Sequence, residues 1–283
     1  MKLRYVAFAT AMSLGMLTSP LTLAGLNDGL MAHYPFDGNA QDAGPNGNHG
    51  AVEGATLTAD RFGKANSAYR FDGKDDSIVV PSSASLHPAD RLSFAFWMKI
   101  EGITNTWSPI IFKGSSKWTN NGMYREYTVW LSKQLTLYLT SAGNQSAQQV
   151  LKSSAVKGGE WFFYAAVIDR RHHSIKVYIN GRLDQEMADS YSSFKKNNNN
   201  LVFGGRGEGI ADFSPLKGVL DDIRFYKRAL SVKEIKELYT EKPPVVEPPV
   251  VEPPVVKPPV VEPSVVEPPP VVEPSVVEPP PVV

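Results

Sequence analysis

Residues 218–239, G-V-L-D-D-I-R-F-Y-K-R-A-L-S-V-K-E-I-K-E-L-Y, decide the fold, because they predict a strand followed at once by a helix. Val219, Ile223 and Phe225 recur at a spacing of two, which is the period of a strand. The same spacing places Asp221 on their face. A carboxylate in an apolar row needs a cation, a metal ion or several N–H donors, because burying it unpaired is very costly. Asp221 is therefore the first candidate functional residue.

The second half of this stretch has the signals that begin a helix. Ser231 and Glu234 form an S-x-x-E capping box, and Leu230 can pack on Ile235 as a hydrophobic staple. The sequence therefore predicts a short helix over residues 232–239.

This unit resembles the closing strand and helix of laminin G-like, concanavalin A-type lectin domains of bacterial secreted proteins. In that family a strand of the type G-x-I-D-D-V-R-I-Y is followed by N-R-A-L-S-x-x-E-I. Further matches are Y-P-F-D-G-N-A with N-G-N-H-G (34–50), Y-R-F-D-G-K-D-D (69–76), L-S-F-A-F-W-M-K (92–99) and V-Y-I-N-G (177–181). The resemblance covers roughly residues 26–239. It implies an all-β, two-sheet antiparallel jelly-roll sandwich with a short C-terminal helix.

The spacing of strands and turns in the rest of the chain is typical of such a sandwich. From Leu30 onward, short β-type runs alternate with turns rich in Gly, Asn, Asp and Ser. Asn180-Gly181 predicts a two-residue type I′ hairpin. The clearest predicted strands are 92–100, 135–140, 161–168, 175–179, 201–203 and 219–226.

The two ends of the chain differ from this pattern. Lys2 and Arg4 precede an apolar run over 5–17 and small residues up to Ala24, which predicts a signal peptide over 1–24 rather than a buried helix. The protein is then secreted, periplasmic or on the cell surface. Residues 242–283 repeat P-P-V-V-E, which favours either a polyproline II stalk or a disordered tail. One domain over 25–241 remains.

Composition excludes several classes of function. The 29 Lys and Arg residues balance the 29 Asp and Glu residues, so we expect no nucleic-acid partner. The absence of Cys excludes disulfides, a thiol nucleophile and a lipoprotein anchor. After the signal peptide, no segment is apolar and long enough to predict a membrane-spanning helix.

The resemblance implies a structural calcium ion where the first acidic loop meets the closing strand. The matching positions are Asp37 of F-D-G-N and Asp221 of L-D-D-I, with Asn48, His49 and Gly50 as weaker ligand candidates. Two alternatives stay open. Loop 37–50 has the composition of ordinary Asn and Asp turns, and Asp221 can instead accept backbone N–H groups or pair with a basic residue.

Three residues are candidates for binding carbohydrate, because sugar rings pack on aromatic faces while their hydroxyls need hydrogen bonds. Trp107 and Trp118 lie in polar, Gly-, Ser- and Asn-rich sequence, where we expect loops. Arg206 lies in G-G-R-G-E-G. The alternative for each Trp is packing at the edge of the sandwich.

Catalysis finds little support in the sequence. The glucanases of the same superfamily carry an E-x-D-x-x-E carboxylate cluster, which this chain lacks. Asp221 and Asp222 are expected on opposite faces of a strand. The sequence therefore predicts a non-catalytic recognition module for a glycan. The alternatives are a protein-binding or adhesion module that contacts a cell-surface protein and, with less support, a glycan-active enzyme.

Overall fold

The computed structural model describes residues 25–103, 107–119, 122–143, 148–205 and 213–242, except for the side chains of 116–119 and 122–124. The predicted signal peptide 1–24 and the repeat beyond Lys242 lie outside the described residues. Within these ranges the chain forms fifteen strands and one α-helix. The strands are β1 (Leu30–Tyr34), β2 (Ala51–Glu53), β3 (Thr56–Thr58), β4 (Ala68–Asp72), β5 (Ser77–Val80), β6 (Arg91–Gly102), β7 (Trp107–Thr119), β8 (Gly122–Ser132), β9 (Thr136–Ala142), β10 (Gln148–Ala155), β11 (Trp161–Asp169), β12 (Ser174–Ile179), β13 (Arg182–Ala188), β14 (Leu201–Phe203) and β15 (Lys217–Tyr226), and the helix is α1 (Val232–Thr240).

The described strands form two antiparallel sheets that enclose one core. The eight-stranded sheet has the order β13-β12-β11-β6-β15-β4-β3, and β1 also pairs with β15. The seven-stranded sheet has the order β10-β9-β8-β7-β14-β5-β2. The predicted all-β sandwich is confirmed.

The inner faces of both sheets fill the core with large apolar side chains. Strand β6 contributes every second residue, as the sequence predicts, while Trp97 faces the other side. Phe94 lies 5.7 Å from Phe225 of the adjacent strand, centroid to centroid. Each fully buried side chain of this kind stabilises the fold by about 1.5–3 kcal/mol. The buried β6 residues are Leu92, Phe94, Phe96, Met98 and Ile100.

The predicted helix and its capping box are confirmed. The Ser231 Oγ accepts a hydrogen bond from the Glu234 backbone N–H, and the Glu234 carboxylate accepts one from the Ser231 N–H. Ile235 and Leu238 are buried against Tyr226, so α1 covers part of the outer face of the eight-stranded sheet. Nowhere in the described residues is there a helix of the length and apolarity needed to span a membrane.

Two turns follow from local sequence. Asn180 and Gly181 both have positive φ angles, 50° and 72°, as a type I′ hairpin requires, so this prediction is confirmed. Leu135, which we expected in a strand, instead lies in the turn before β9 with a φ of 58°.

A β-bulge in β15 overturns the predicted face of Asp221. The pairing of β15 with β6 shifts register between Asp221 and Arg224, and Asp222 has a φ of 50°. The extra residue inverts the alternation of the strand. Ile223 and Phe225 therefore enter the core, whereas Asp221 pairs with Trp97 on the outer face. The prediction that Asp221 shares a face with Ile223 and Phe225 is wrong.

Candidate binding site

A cluster of aromatic side chains lies on the outer face of the seven-stranded sheet. Phe112 of β7, Trp130 of β8 and Val202 of β14 form its buried part. Their strand neighbours Val129 and Leu201 belong to the core between the sheets, so the cluster occupies the opposite face. Partly buried side chains that pack against it are Val79, Trp107, Tyr138 and Phe213.

An open groove of about 300 Å³ runs along this cluster. Trp107 and Tyr138 meet edge to face at its wall, with ring centroids 4.7 Å apart. Trp130 meets Phe213 in the same way at 5.0 Å. Val150 of β10 is 44% exposed, so the groove keeps apolar surface in contact with water. The described lining consists of Trp107, Arg125, Trp130, Tyr138, Thr140, Gln148, Val150 and Phe213.

Polar groups fix the aromatic rings and supply hydrogen-bonding atoms. The indole N–H of Trp130 donates to the Thr128 hydroxyl over 2.9 Å, which sets the orientation of the ring. The Arg125 guanidinium lies 4.6 Å from the centroid of Trp130 and donates to the Gln148 carbonyl over 3.4 Å. Burial lowers the pKa of Arg125 to about 10, so it is still cationic at neutral pH. The groove thus combines rigid aromatic surface with one cation and one amide.

The predicted carbohydrate residues have different outcomes. Trp107 lies in the groove, although it begins strand β7 instead of occupying a loop. Trp118 belongs to the same strand, and its side chain lies outside the described part of the chain. Arg206 also lies outside the described residues. Trp130 and Tyr138 were not predicted as site residues, and their alternation with core residues along β8 and β9 was the available signal.

A second polar cluster surrounds Asp221 on the outer face of the eight-stranded sheet. Asp221 is 2% exposed, and its carboxylate accepts a hydrogen bond from Arg61 Nη1 over 2.6 Å. Arg61 Nη2 lies 3.3 Å from Asp222. Both carboxylates therefore reach one guanidinium because of the bulge, and the prediction that they project to opposite faces is wrong. The Arg61 guanidinium also lies 4.7 Å from the Trp97 ring centroid.

The two adjacent carboxylates have opposite pKa shifts. Burial raises the pKa of Asp221 to about 7, and the Arg61 charge only partly offsets that shift. Burial also acts to raise the pKa of Asp222, but hydrogen bonding from His33 and the charge of Arg224 outweigh it and lower the pKa to about 2. His33 Nε2 and Arg224 Nε lie 2.9 and 3.0 Å from the Asp222 carboxylate. Asp222 is the firmly ionised member of the pair.

Loop 37–50 satisfies its own polar groups. The buried Asp42 carboxylate accepts hydrogen bonds from three backbone N–H groups, those of His33, Gly44 and Asn48. The Asn48 backbone carbonyl accepts from the Tyr34 hydroxyl, and the Asn48 side chain bonds the Met31 carbonyl.

The other candidate ligands in this loop, His49 and Gly50, also form hydrogen bonds within the loop. His49 Nδ1 accepts from the Asp42 N–H over 3.1 Å, and the Gly50 N–H donates to the Ala40 carbonyl. Ordinary turn chemistry, one of the two alternatives, accounts for the loop.

These contacts do not fit a calcium ion shared by Asp37 and Asp221. Asp37 is exposed and pairs with Lys64 over 2.6 Å, while Asp221 pairs with Arg61. Each carboxylate already has a cationic side chain where a hard ion would need open oxygen ligands. The calcium site stays a prediction, and the structure supplies a different counter-ion for Asp221.

A separate group of three acidic side chains, Asp72, Asp75 and Asp76, brings its oxygens within 4.8 Å of one another. Within it Asp76 is buried, whereas Asp72 and Asp75 are exposed.

A third polar cluster is buried beside β7 and β8. Lys113 of β7 and Glu126 of β8 have fully buried side chains with Nζ and Oε2 4.0 Å apart. Lys113 also donates to the carbonyls of Asn197 and Asn199, and His87 contacts the Glu126 carboxylate. Burial raises the pKa of Glu126 and lowers that of Lys113. Because Lys113 and Glu126 are fully buried, this network holds His87 and the loop with Asn197 and Asn199 against β7 and β8.

Residues 72–236, more than half of the chain, match the Laminin_G_3 family, described as the concanavalin A-like lectin/glucanases superfamily. The chain belongs to this family. No curated protein matches it significantly.

Solved structures share this fold at low identity. Domain 4 of a GH43 extracellular arabinanase from Geobacillus stearothermophilus, in complex with arabinotriose, has a TM-score of 0.55 and 23% identity, over 74% of this chain and 98% of that domain. The binding domain of Paraclostridial mosquitocidal protein 1 has a TM-score of 0.60 and 16% identity, over 75% and 52%. The botulinum neurotoxin serotype G binding domain has a TM-score of 0.57 and 14% identity, over 74% and 50%. This family member thus spans about half the length of the toxin domains it resembles.

Proposed function

We propose that this chain is an exported, non-catalytic recognition module that binds carbohydrate in the groove on the outer face of the seven-stranded sheet. The groove formed by Trp107, Trp130 and Tyr138 carries this proposal. Its lining pairs rigid aromatic surface with the hydroxyl of Thr140 and the side chains of Gln148 and Arg125. The C–H faces of a sugar ring can pack on the aromatic surface while its hydroxyls meet the polar groups.

The size and shape of the groove support a glycan ligand. About 300 Å³ is at the lower end of the range of small-molecule sites, which suits one or two sugar rings held at a surface. The edge-to-face contacts of Trp107 and Trp130 hold the site in place before a ligand arrives. Binding then orders few side chains, which limits its entropic cost.

The charges near the groove support recognition without catalysis. Glycoside hydrolysis generally uses two carboxyl groups on either side of the scissile bond. The described lining of the groove contains no Asp or Glu. Glu126, the fully buried carboxylate of β8, contacts Lys113 and His87 and is not among the described residues that line the groove.

A glycan array with the purified protein tests this function. We expect Trp107→Ala and Tyr138→Ala each to weaken binding about tenfold or more, because each removes aromatic surface worth over 1 kcal/mol. Trp161→Ala is the matched control, because Trp161 lies on β11 of the other sheet. Circular dichroism checks that each variant folds. Glycan binding that is unchanged in both groove variants would contradict the proposal. So would an absence of array signal together with tight binding to a purified cell-surface protein.

A further inference from the structure

A second depression adjoins the aromatic groove. It is open, has a volume of about 540 Å³ and lies where β10, at the edge of the seven-stranded sheet, approaches β13 of the other sheet. Six of its seven described lining residues have polar side chains. The described lining residues are Gln134, Thr136, Lys152, Ser153, Ser154, Ala155 and Gln185.

Neighbouring residues of β9 and β10 line the two depressions. Thr136 precedes Tyr138 by two residues, and Lys152 follows Val150 by two, so each pair faces the same side of the sheet. Lys152 also pairs directly with Tyr138 across the two strands. The Lys152 Nζ lies 5.8 Å from the Tyr138 ring centroid, at the junction of groove and depression.

The path is longer than one sugar ring. Thr140 lines the groove and Thr136 lines the depression, and four residues of strand separate them by roughly 14 Å. A chain of several sugar units would follow the strands from aromatic to polar surface.

The junction of groove and depression holds the cationic side chain of Lys152. Lys152 is exposed, and among the described residues no carboxylate lies within ion-pair distance of it. The described linings of the groove and the depression contain no Asp or Glu, although the chain as a whole has 29 acidic residues. An anionic group on a ligand would be attracted by the Lys152 ammonium. The Asp184 carboxylate, beside the depression, accepts a hydrogen bond from the Ser154 backbone N–H over 2.8 Å.

We infer that the groove and the depression form one binding path for an oligosaccharide that carries a carboxylate or sulfate group. Sugar rings pack on Trp107 and Tyr138, and the anionic group lies at Lys152. The inference rests on the proposed function and specifies its ligand class.

The test uses oligosaccharides of one to several units in sets with the same backbone, each set in neutral, carboxylated and sulfated forms. We expect affinity to rise about tenfold from one unit to several, and the acidic form to bind about threefold more tightly than the neutral form at low salt. Lys152→Gln should remove the preference for the acidic form. Lys236→Gln, an exposed substitution on α1, is the matched control. The response to carboxylated or sulfated members identifies the source of the charge.

Several results would overturn the inference while the proposed function stands. These are equal binding of the neutral and acidic forms, an acidic preference that survives Lys152→Gln, or affinity that does not depend on length. In each of these three cases the protein would still bind oligosaccharide, and this binding would still depend on Trp107. If no oligosaccharide binds the wild-type protein, the proposed function and the inference both fail.

Discussion

Arg61, in the loop after β3, donates to Asp221 of β15 over 2.6 Å and holds this carboxylate on the outer face of the eight-stranded sheet. Both side chains are nearly inaccessible, at 9% and 3% exposure. The Arg61 guanidinium also makes cation–π contacts with Trp97 and Phe62, whose ring centroids lie 4.7 and 4.5 Å away. A covalently attached cation thus balances the carboxylate for which the family resemblance implied a calcium ion.

Removing Arg61 should destabilise the domain strongly. Arg61→Ala leaves Asp221 buried without a counter-ion, and we expect the free energy of unfolding to fall by about 3 kcal/mol in urea titrations at pH 7. Arg61→Lys should recover part of this loss, because Lys keeps the charge but cannot span Asp221 and Asp222 as a fork. Lys64→Ala is the control, since it removes the exposed pair with Asp37 and should cost less than about 1 kcal/mol. Equal losses for Arg61→Ala and Lys64→Ala would show that the Arg61 pair adds little.

Calcium should not act through Asp221. A structural ion present at a hundredfold excess over its Kd stabilises a protein by about 2.7 kcal/mol, which moves the thermal midpoint by several degrees. We expect the wild-type protein and Asp221→Asn to show the same change in midpoint, if any, when EDTA is replaced by excess calcium. A midpoint that rises with calcium in the wild-type protein and not in Asp221→Asn would instead support the calcium site at this position.

The pH dependence of stability should report the buried Asp221. Its pKa of about 7 in the folded protein lies above the ordinary value of 3.8, so the folded state holds a proton that the unfolded state has lost. The contribution of Asp221 to stability is therefore greatest below about pH 4 and declines as pH rises to about 7. Relative to Asp221→Asn, wild-type stability should fall by up to about 1.4 kcal/mol per pH unit in this window. Denaturant titrations at several pH values measure the difference. A difference that stays constant between pH 4 and 7 would place the Asp221 pKa outside this range.

The sequence predicted the parts of the fold that local rules control. The capping box of Ser231 and Glu234, the Asn180-Gly181 turn and the alternating apolar residues of β6 all depend on residues close together in the chain. The bulge at Asp222 could not be predicted in this way. Its φ of 50° arises where β15 must pair with β6, β4 and β1, and one extra residue there reverses which side chains reach the core.

Only part of the candidate site was predicted, because the rest depends on contacts between residues far apart in the chain. Trp107 was recognisable from the polar sequence around it. Trp130 and Tyr138 become site residues only when β8 and β9 lie side by side. The partner of Asp221 lies 160 residues earlier in the chain. A sequence pattern can show that a buried carboxylate needs a counter-charge, but it does not choose between a metal ion and a distant Arg.

The buried Lys113 and Glu126 side chains should stabilise the domain as a coupled pair. Lys113→Met leaves Glu126 without its ammonium neighbour and the carbonyls of Asn197 and Asn199 without a donor, so we expect a loss of about 3–5 kcal/mol. Glu126→Gln should cost less, because an amide can still accept a hydrogen bond from Asn197. In the double variant the two losses should not add, since each removes part of one network. We expect a coupling free energy of at least about 1 kcal/mol from denaturant titrations.

The matched control for this cycle is the exposed pair of Lys157 and Glu160, whose Nζ and Oε1 lie 3.1 Å apart. Its closer contact would give the larger coupling if distance alone set the energy. Water screens exposed charges, however, so we expect less than about 0.5 kcal/mol there. A coupling for Lys113 and Glu126 that is no larger than this value would mean that the two side chains do not stabilise each other, and that loop 196–199 is held by the carbonyl contacts of Lys113 alone.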